Sequence, residues 1–300
     1  MNEHEESVLE VLEILNNLQV PYQEAVDSRP LTTFFLGGRL SVLIKPDNLE
    51  QLKSLTRKRL DYRVLGRGSN IFFCFERLDI PVIKLGHSFR QVEFIRSNYL
   101  EVGAACHLDS LARKLSTSGF SGLEFAVGIP GTVGGAIIMN AGAHGGQMAD
   151  VVERVRFVYE GEEIETKPEF VYRGCELPPK AIVTAAVLRV TPGDNDRVLK
   201  QVNQNLEYRR ATQPLNYPSL GSVFKNPSKE VYAGSLLEEV GLKGYRKGNV
   251  MFSELHANWL INPEKKGSYA EVQFLLSLAQ AMVLEKFGIK LELEWRVFDG

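Results

Sequence analysis

Most strong compositional signals are missing from this sequence. Its net charge is −2 over 300 residues, so no whole-molecule field draws it to nucleic acid or to an anionic membrane. It has only three cysteines, Cys74, Cys106 and Cys175. Their number is odd and their spacing wide, with no C-x-x-C pair or Cys/His cluster, which argues against a disulfide framework or a metal site and fits a reducing, cytoplasmic compartment. The opening MNEHEESVLEVLEILNNL is acidic and sets no basic segment before an apolar run, so it does not read as a secretory signal. No G-x-x-x-x-G-K-[ST] occurs, and GRGSNI (66–71) lacks the third glycine of G-x-G-x-x-G, which leaves P-loop and Rossmann readings unsupported. Residues 125–149 are uncharged and contain a G-x-x-x-G pair, Gly131 and Gly135. Pro130, several glycines and the lack of a basic flank nevertheless make a membrane span a poor reading.

What remains is an ordinary globular composition, 44% hydrophobic and 24% charged, at a length that suggests two domains or one large domain with a smaller one. Val8, Val11, Leu12, Leu15 and Leu18 recur at helical spacing and predict an amphipathic N-terminal helix over 1–20. LSVLIKP, NLEQLKSLTRKRL and YRVLGRGSN read as a small β-α-β unit that ends in a glycine loop. IPVIKLG, VEFIRSN and YLEVGAAC follow as short strands, then HLDSLARKLSTSG as a helix stopped at Gly119. ERVRFVYEGEEIET predicts two strands around Gly161, AIVTAAVLRVTPGD a further strand, and DNDRVLKQVNQNLEYRRATQP a charged connecting helix. Prolines then cluster over 211–230, and a helix, a strand, a long amphipathic helix and a last strand, LELEWRVF (291–298), complete the chain. Alternation on that last strand puts Leu291, Leu293, Trp295 and Val297 on one face and Glu292, Glu294 and Arg296 on the other.

The most unusual stretch is GIPGTVGGAIIMNAGAHGG (128–146), where seven of nineteen residues are glycine and none is charged. Backbone amides without Cβ atoms in the way can line a pyrophosphate, and LGRGSN (65–70), following a strand, offers the same. Glycine counting alone supports a tightly packed turn region equally well. His107 and His144 read as structural, since neither has metal-ligand spacing.

GLEFAVGIPGTVGGAIIMNAGAHGG (122–146) resembles the flavin-binding stretch of the UDP-N-acetylenolpyruvoylglucosamine reductase family. LGRGSN resembles that family's other flavin loop, and YPSLGSVFKNP (217–227) and LELEWRVF resemble its substrate and catalytic segments, all in the same order. The resemblance runs from about residue 30 to the C-terminus. It implies an α+β chain of the vanillyl-alcohol-oxidase (PCMH) type: FAD-binding lobes over 21–86 and 87–205 and a substrate domain over 206–300, with the last strand returning to the flavin lobes. It implies FAD and NADPH as cofactors, and hydride transfer to an enolpyruvyl ether of a UDP-sugar to give UDP-N-acetylmuramate for peptidoglycan. Catalysis would fall to Ser222 as proton donor, with Arg173 and Glu294. The cofactor would contact Gly66, Arg67, Gly68, Ser69, Asn70, Gly128, Ile129, Pro130, Gly131, Thr132, Gly134, Gly135, Asn140, Ala141 and Gly142. The substrate would contact Tyr172, Lys225, Asn226, Lys243, His256, Asn258 and Arg296, with Tyr232 a further candidate. No metal, nucleic acid or membrane partner is implied, and a monomer is expected.

The sequence departs from the family pattern at three places. Phe35 stands where the family commonly has arginine, YRGCEL follows an unusual course after Arg173, and NIFFCFERLDIPV lacks the acidic-glycine turn. The 78 residues after Ser222 leave little room for the extra insertion of one subtype, so the shorter subtype is expected. Two other functions stay open on the residues alone: an oxidase on the same fold, and a flavin-binding protein without turnover.

Overall fold

The computed structural model describes residues 3–299. By its contacts the chain divides into two compact units. Met1–Val26, Leu40–Arg67 and Asp79–Glu207 form the first, and Asp27–Arg39, Gly68–Leu78 and Tyr208–Gly300 the second. Segments 27–39 and 68–78, expected inside a flavin lobe, therefore cluster with the C-terminal residues.

In the first unit, the helix Glu3–Asn17 buries Val11 and Leu15 among Val42, Ile44, Leu52 and Leu55. The strand Arg39–Ile44 is buried at five consecutive positions, as an apolar run in a parallel sheet should be. It pairs in parallel with Val82–Ile83, and that strand in parallel with Arg63–Val64. Asn48 starts the intervening helix Leu49–Thr56 by accepting from the Gln51 N–H, which completes the β-α-β unit. A second, antiparallel sheet follows in the order Glu162–Thr166, Val152–Tyr159, Ile182–Arg189, Tyr99–Gly103, Val92–Arg96. Helix Leu108–Thr117 covers it with Leu108, Leu111, Ala112 and Leu115 against Leu100, Val102 and Leu188.

The glycine stretch is more ordered than a loop. It contains the helix Val133–Ile138 and a tight hairpin, Gly142–Ala143 with Gly146–Gln147. His144 and Gly145, both at positive φ, make that hairpin's turn, which gives His144 a structural place. No helix among the described residues is long and apolar enough to cross a membrane. A further hairpin, Glu169–Val171 with Gly174–Glu176, has no counterpart in the sequence expectations.

In the second unit, an antiparallel sheet runs Ser219–Ser222, Trp259–Ile261, Val250–Phe252, Arg246–Lys247. Helices Ala233–Glu239 and Tyr269–Phe287 cover it, with Leu236, Leu237, Leu275 and Ala279 in one core with Phe34, Phe72, Phe224, Phe252 and Trp295. Ser268 and Glu271 form a capping box at the start of the long helix, and Gly288, at φ 67°, ends it.

The C-terminal strand differs from its expected form. Regular pairing covers only Arg296–Asp299, in parallel with Ile71–Cys74, while the residues before it make a single bridge, Phe224 with Leu293. Leu291 and Trp295 are buried, but Val297 is 39% exposed and Phe298 takes the inner position. A period of two holds only while the chain follows one neighbour. Here the segment changes partner at Trp295, and the buried face shifts by one residue.

Candidate active site

The first unit brings Gly66 and Arg67 beside the N-terminal end of the glycine stretch. A Cβ on Gly66 would lie 2.6 Å from the Thr132 Oγ1, so only glycine lets these two loops meet. Thr132 caps the helix Val133–Ile138, its Oγ1 accepting from the Gly135 N–H at 3.3 Å. Val133 and Gly134 donate to the Cys106 and Ala104 carbonyls, and the Gly128 N–H donates to the Asp109 carboxylate. The stretch therefore has two jobs. Gly134 serves close packing, while Gly128, Ile129, Pro130, Gly131, Thr132 and Gly135 are half-buried or exposed, so this part of the stretch lies at the surface of the unit.

Charged side chains from outside the uncharged glycine stretch gather at the same place. The Lys84 Nζ donates to the Gly66 carbonyl at 2.9 Å. Burial first, then Lys45, Arg90 and Arg67, holds the Lys84 ammonium below its usual pKa. Burial, then Arg67, Arg90 and Lys84, does the same to the His107 imidazole. Burial is the larger cause in both, and the neighbouring cations near Gly66 add to it. Lys84 was legible as the one charge interrupting IPVIKLG; Arg90 carried no sequence signal.

Asn140 is buried and its carboxamide is engaged within the unit. It donates to the Gln147 Oε1 and to the Val171 carbonyl, both at 3.1 Å, and accepts from the Ala149 N–H at 3.0 Å. It thereby anchors the hairpin whose turn is Tyr172–Arg173. Arg173 sits there at φ 58°, with its guanidinium 5.3 Å from the ring centre of the exposed Tyr172. The altered sequence after Arg173 thus forms the hairpin's second strand. Burial, and then Glu176, pushes the Cys175 thiol up to about 11, so this cysteine is protonated at neutral pH.

The second unit holds the other residues: Gly68, Ser69, Asn70, Ser222, Lys225, Asn226, Lys243, His256, Asn258, Glu294 and Arg296. Ser222 ends its strand just after a β-bulge at Gly221, φ 77°. Such bulges re-aim a side chain at the rim of a sheet. The strand is clamped from outside by Thr33, whose Oγ1 donates to the Ser219 carbonyl at 2.6 Å and whose carbonyl accepts from the Ser219 N–H at 3.1 Å. The Glu294 N–H donates to the Val223 carbonyl at 2.8 Å, so Ser222 and Glu294 lie on adjacent, bonded segments. Asn70 joins the same group. Its Nδ2 donates to the Glu294 carbonyl at 3.0 Å, and its carbonyl accepts from the Arg296 N–H at 3.0 Å.

The expected substrate residues have local partners too. The Lys225 Nζ lies 3.4 Å from a Glu292 carboxylate oxygen, and the Lys243 Nζ 2.7 Å from Glu238. The Asn226 Oδ1 accepts from Ala233 at the start of its helix. The His256 Nδ1 accepts from the Asn258 N–H at 3.2 Å, and burial, then Lys243, lowers its pKa against an opposing push from Glu238. Tyr232 is exposed. Phe35 is at φ 56° with the Lys265 Nζ 4.1 Å from its ring centre, a cation–π contact.

Comparison with known proteins decides the family. The C-terminal domain of UDP-N-acetylenolpyruvoylglucosamine reductase matches residues 213–298, and an FAD binding domain matches residues 41–166. The reductase of Anoxybacillus flavithermus is 39% identical over 88% of this chain and 89% of its own length. That of Bacillus subtilis is 36% identical over 90% and 91%. The chain belongs to the UDP-N-acetylenolpyruvoylglucosamine reductase family. Its fold agrees with the crystal structure of the Thermus caldophilus enzyme at a TM-score of 0.81, with 33% identity over 93% of this chain and 99% of that one. The fold also agrees with berberine bridge enzyme from Eschscholzia californica, TM-score 0.50 at 17% identity over 71% of this chain. The fold is therefore the α+β flavin-binding type expected from the sequence.

The residues present suit FAD, the cofactor of this family. In the first unit, Gly66 permits loop approach and the cations Arg67, Lys84 and Arg90, grouped around His107, suit a diphosphate. In the second, the buried Thr32 Oγ1 has no internal partner, and it lies beside Gly68, where a Cβ would come 2.9 Å from the Thr32 Cα. Gly66→Ala should displace Thr132, weaken the helix cap by about 1 kcal/mol and lower the flavin content of the purified protein. The ratio of flavin to protein absorbance checks it; unchanged flavin content would remove Gly66 from the cradle. Among the described residues, no group of three or more His, Cys, Asp or Glu is placed to hold a metal ion.

Proposed function

We propose that this protein reduces the enolpyruvyl ether of a UDP-N-acetylglucosamine to the lactyl ether UDP-N-acetylmuramate, with NADPH as reductant, as a cytoplasmic monomer of the shorter subtype. The observation that carries the reading is the backbone bonding of the segments that bear Ser222 and Glu294, Glu294 N–H to the Val223 carbonyl, with Asn70 donating to the Glu294 carbonyl beside them. FAD, held by the 66–70 loop and the 128–135 backbone, would supply the hydride chemistry that links NADPH to the terminal carbon of the substrate double bond.

The chain's own residues handle the charge and the proton. Hydride addition leaves an electron pair on the carbon next to the substrate carboxylate. Arg173 offers a planar guanidinium that pairs with that carboxylate as charge accumulates. Ser222 gives its proton to the basic carbon, a transfer within reach of a weak acid only because the acceptor is so basic. Glu294, half-buried on the segment bonded to Val223, would stabilise the substrate carboxyl in its protonated form together with Arg173. Tyr172, Lys225, Asn226, Lys243, His256, Tyr232 and Arg296 would contact the UDP-sugar. The 128–135 backbone and the 66–70 loop would hold the flavin.

Purified protein should be yellow and should oxidise NADPH only when the enolpyruvyl UDP-sugar is present. Oxygen consumption without that substrate would point instead to an oxidase. A colourless protein that takes up no FAD would overturn the reading.

A further inference from the structure

Ser222 presents its hydroxyl at a point where the ordinary means of fixing a strand have run out. The bulge interrupts register between Ser219 and Ser222, and the last regular pair is Ser222 with Trp259. Beyond it, Phe224 is completely buried, so its N–H and C=O need partners. Both come from one side chain. The Phe224 N–H donates to the Asn258 Oδ1 at 3.0 Å, and the Asn258 Nδ2 donates to the Phe224 carbonyl at 2.8 Å. The Val223 N–H donates to the Asn258 carbonyl at 2.9 Å. A carboxamide carries the same donor and acceptor as a peptide group, so Asn258 adds a rung to the ladder where the backbone no longer can. On the opposite edge, Val223 and Lys225 are bonded to Glu294 and Glu292. Segment 223–225 is thus held between Asn258 and the Glu294 segment, one residue after Ser222.

We propose that Asn258 is a positioning residue for proton delivery: its carboxamide fixes Phe224 and thereby sets where Ser222 presents its hydroxyl relative to Glu294. At 3% exposure and with both polar atoms bonded to Phe224, Asn258 is not a substrate contact. The inference rests on the assignment of Ser222 under the proposed function.

The strand Trp259–Ile261 supplies its own control. Asn262, at its other end, is equally buried and equally bonded, its Nδ2 to the Phe34 carbonyl at 3.0 Å and its Oδ1 to the Gly267 N–H at 2.9 Å. Its backbone N–H donates to the Pro218 carbonyl at 3.0 Å, but its side chain makes no bond to residues 219–225, so an alanine there leaves the Ser222 segment's own bonds in place. The test follows both half-reactions of the holoprotein by stopped flow: flavin reduction by NADPH, and anaerobic reoxidation by the enolpyruvyl UDP-sugar. Asn258→Ala should leave the first within about threefold and slow the second on the order of 10²-fold, the size expected for a small misplacement of a reacting group. Asn258→Asp keeps the acceptor for the Phe224 N–H but sets an oxygen against its carbonyl, and it should show the same split if the alanine variant does not fold. Asn262→Ala should lower the melting temperature without separating the half-reactions.

The inference fails if the Asn258 variants slow both half-reactions equally, if they leave reoxidation untouched, if Asn262→Ala gives the same split, or if neither Asn258 variant can be isolated with flavin. Wild-type protein that is never reoxidised by the substrate would instead sink the proposed function itself.

Discussion

Ser222→Ala is expected to separate the two halves of the reaction more sharply than any other single change. Flavin reduction by NADPH should proceed at nearly the wild-type rate, because that step needs no proton from this hydroxyl. Reoxidation by the enolpyruvyl UDP-sugar should fall by about 10²–10⁴-fold, the usual cost of a lost general acid. The local structure makes the test clean. The Ser222 strand is fixed by Thr33 on Ser219, by Asn258 on Val223 and Phe224, and by Glu294 on Val223, none of which uses the Ser222 Oγ. Removing the hydroxyl therefore leaves those contacts in place. Equal loss in both halves would refute the assignment.

The second large effect is expected at Arg173. Arg173→Lys keeps the charge and the side-chain reach but removes the planar fork that pairs bidentately with a carboxylate. The residue occupies a left-handed turn position at φ 58°, and lysine is no more strained there than arginine, so the backbone contributes little to the difference. Reoxidation by substrate should slow by about 10²–10³-fold, as when one stabilising donor is removed from a developing anion. The hairpin itself should survive, because the Asn140 bond to the Val171 carbonyl does not involve Arg173. A lysine variant with unchanged reoxidation would show that Arg173 does not touch the accumulating charge.

Much of this was legible without coordinates. The helix 3–17, the β-α-β unit, the turn at Gly161 and the long capped helix 269–287 all follow from local periodicity and cap chemistry, which act over a few residues and are visible in any window of the chain. The hairpin around Arg173 was not legible. Its strands are three residues each, too short for a period to register, and what holds one of them is Asn140, thirty-one residues away. The last strand misled for a related reason. Its alternation was real over Leu291, Leu293 and Trp295, but the sequence carries no mark of the change of neighbour that turns Val297 outward.

By itself the sequence determined the motif order, the glycine that each loop requires, the chemical types available for catalysis and the likeness to a flavin-dependent reductase family. Tertiary structure alone decided which of the singled-out polar residues face inward. Asn140 and Asn258 read as ligand contacts in sequence, yet their carboxamides are bonded within the chain, that of Asn258 to the buried Phe224 backbone, while Lys84, Arg90 and His107 gather near Gly66 and Arg67. The physical reason is that an amide side chain looks the same to a sequence whether it meets a ligand or a peptide group. Only the surrounding chain shows which buried backbone groups would otherwise lack a partner.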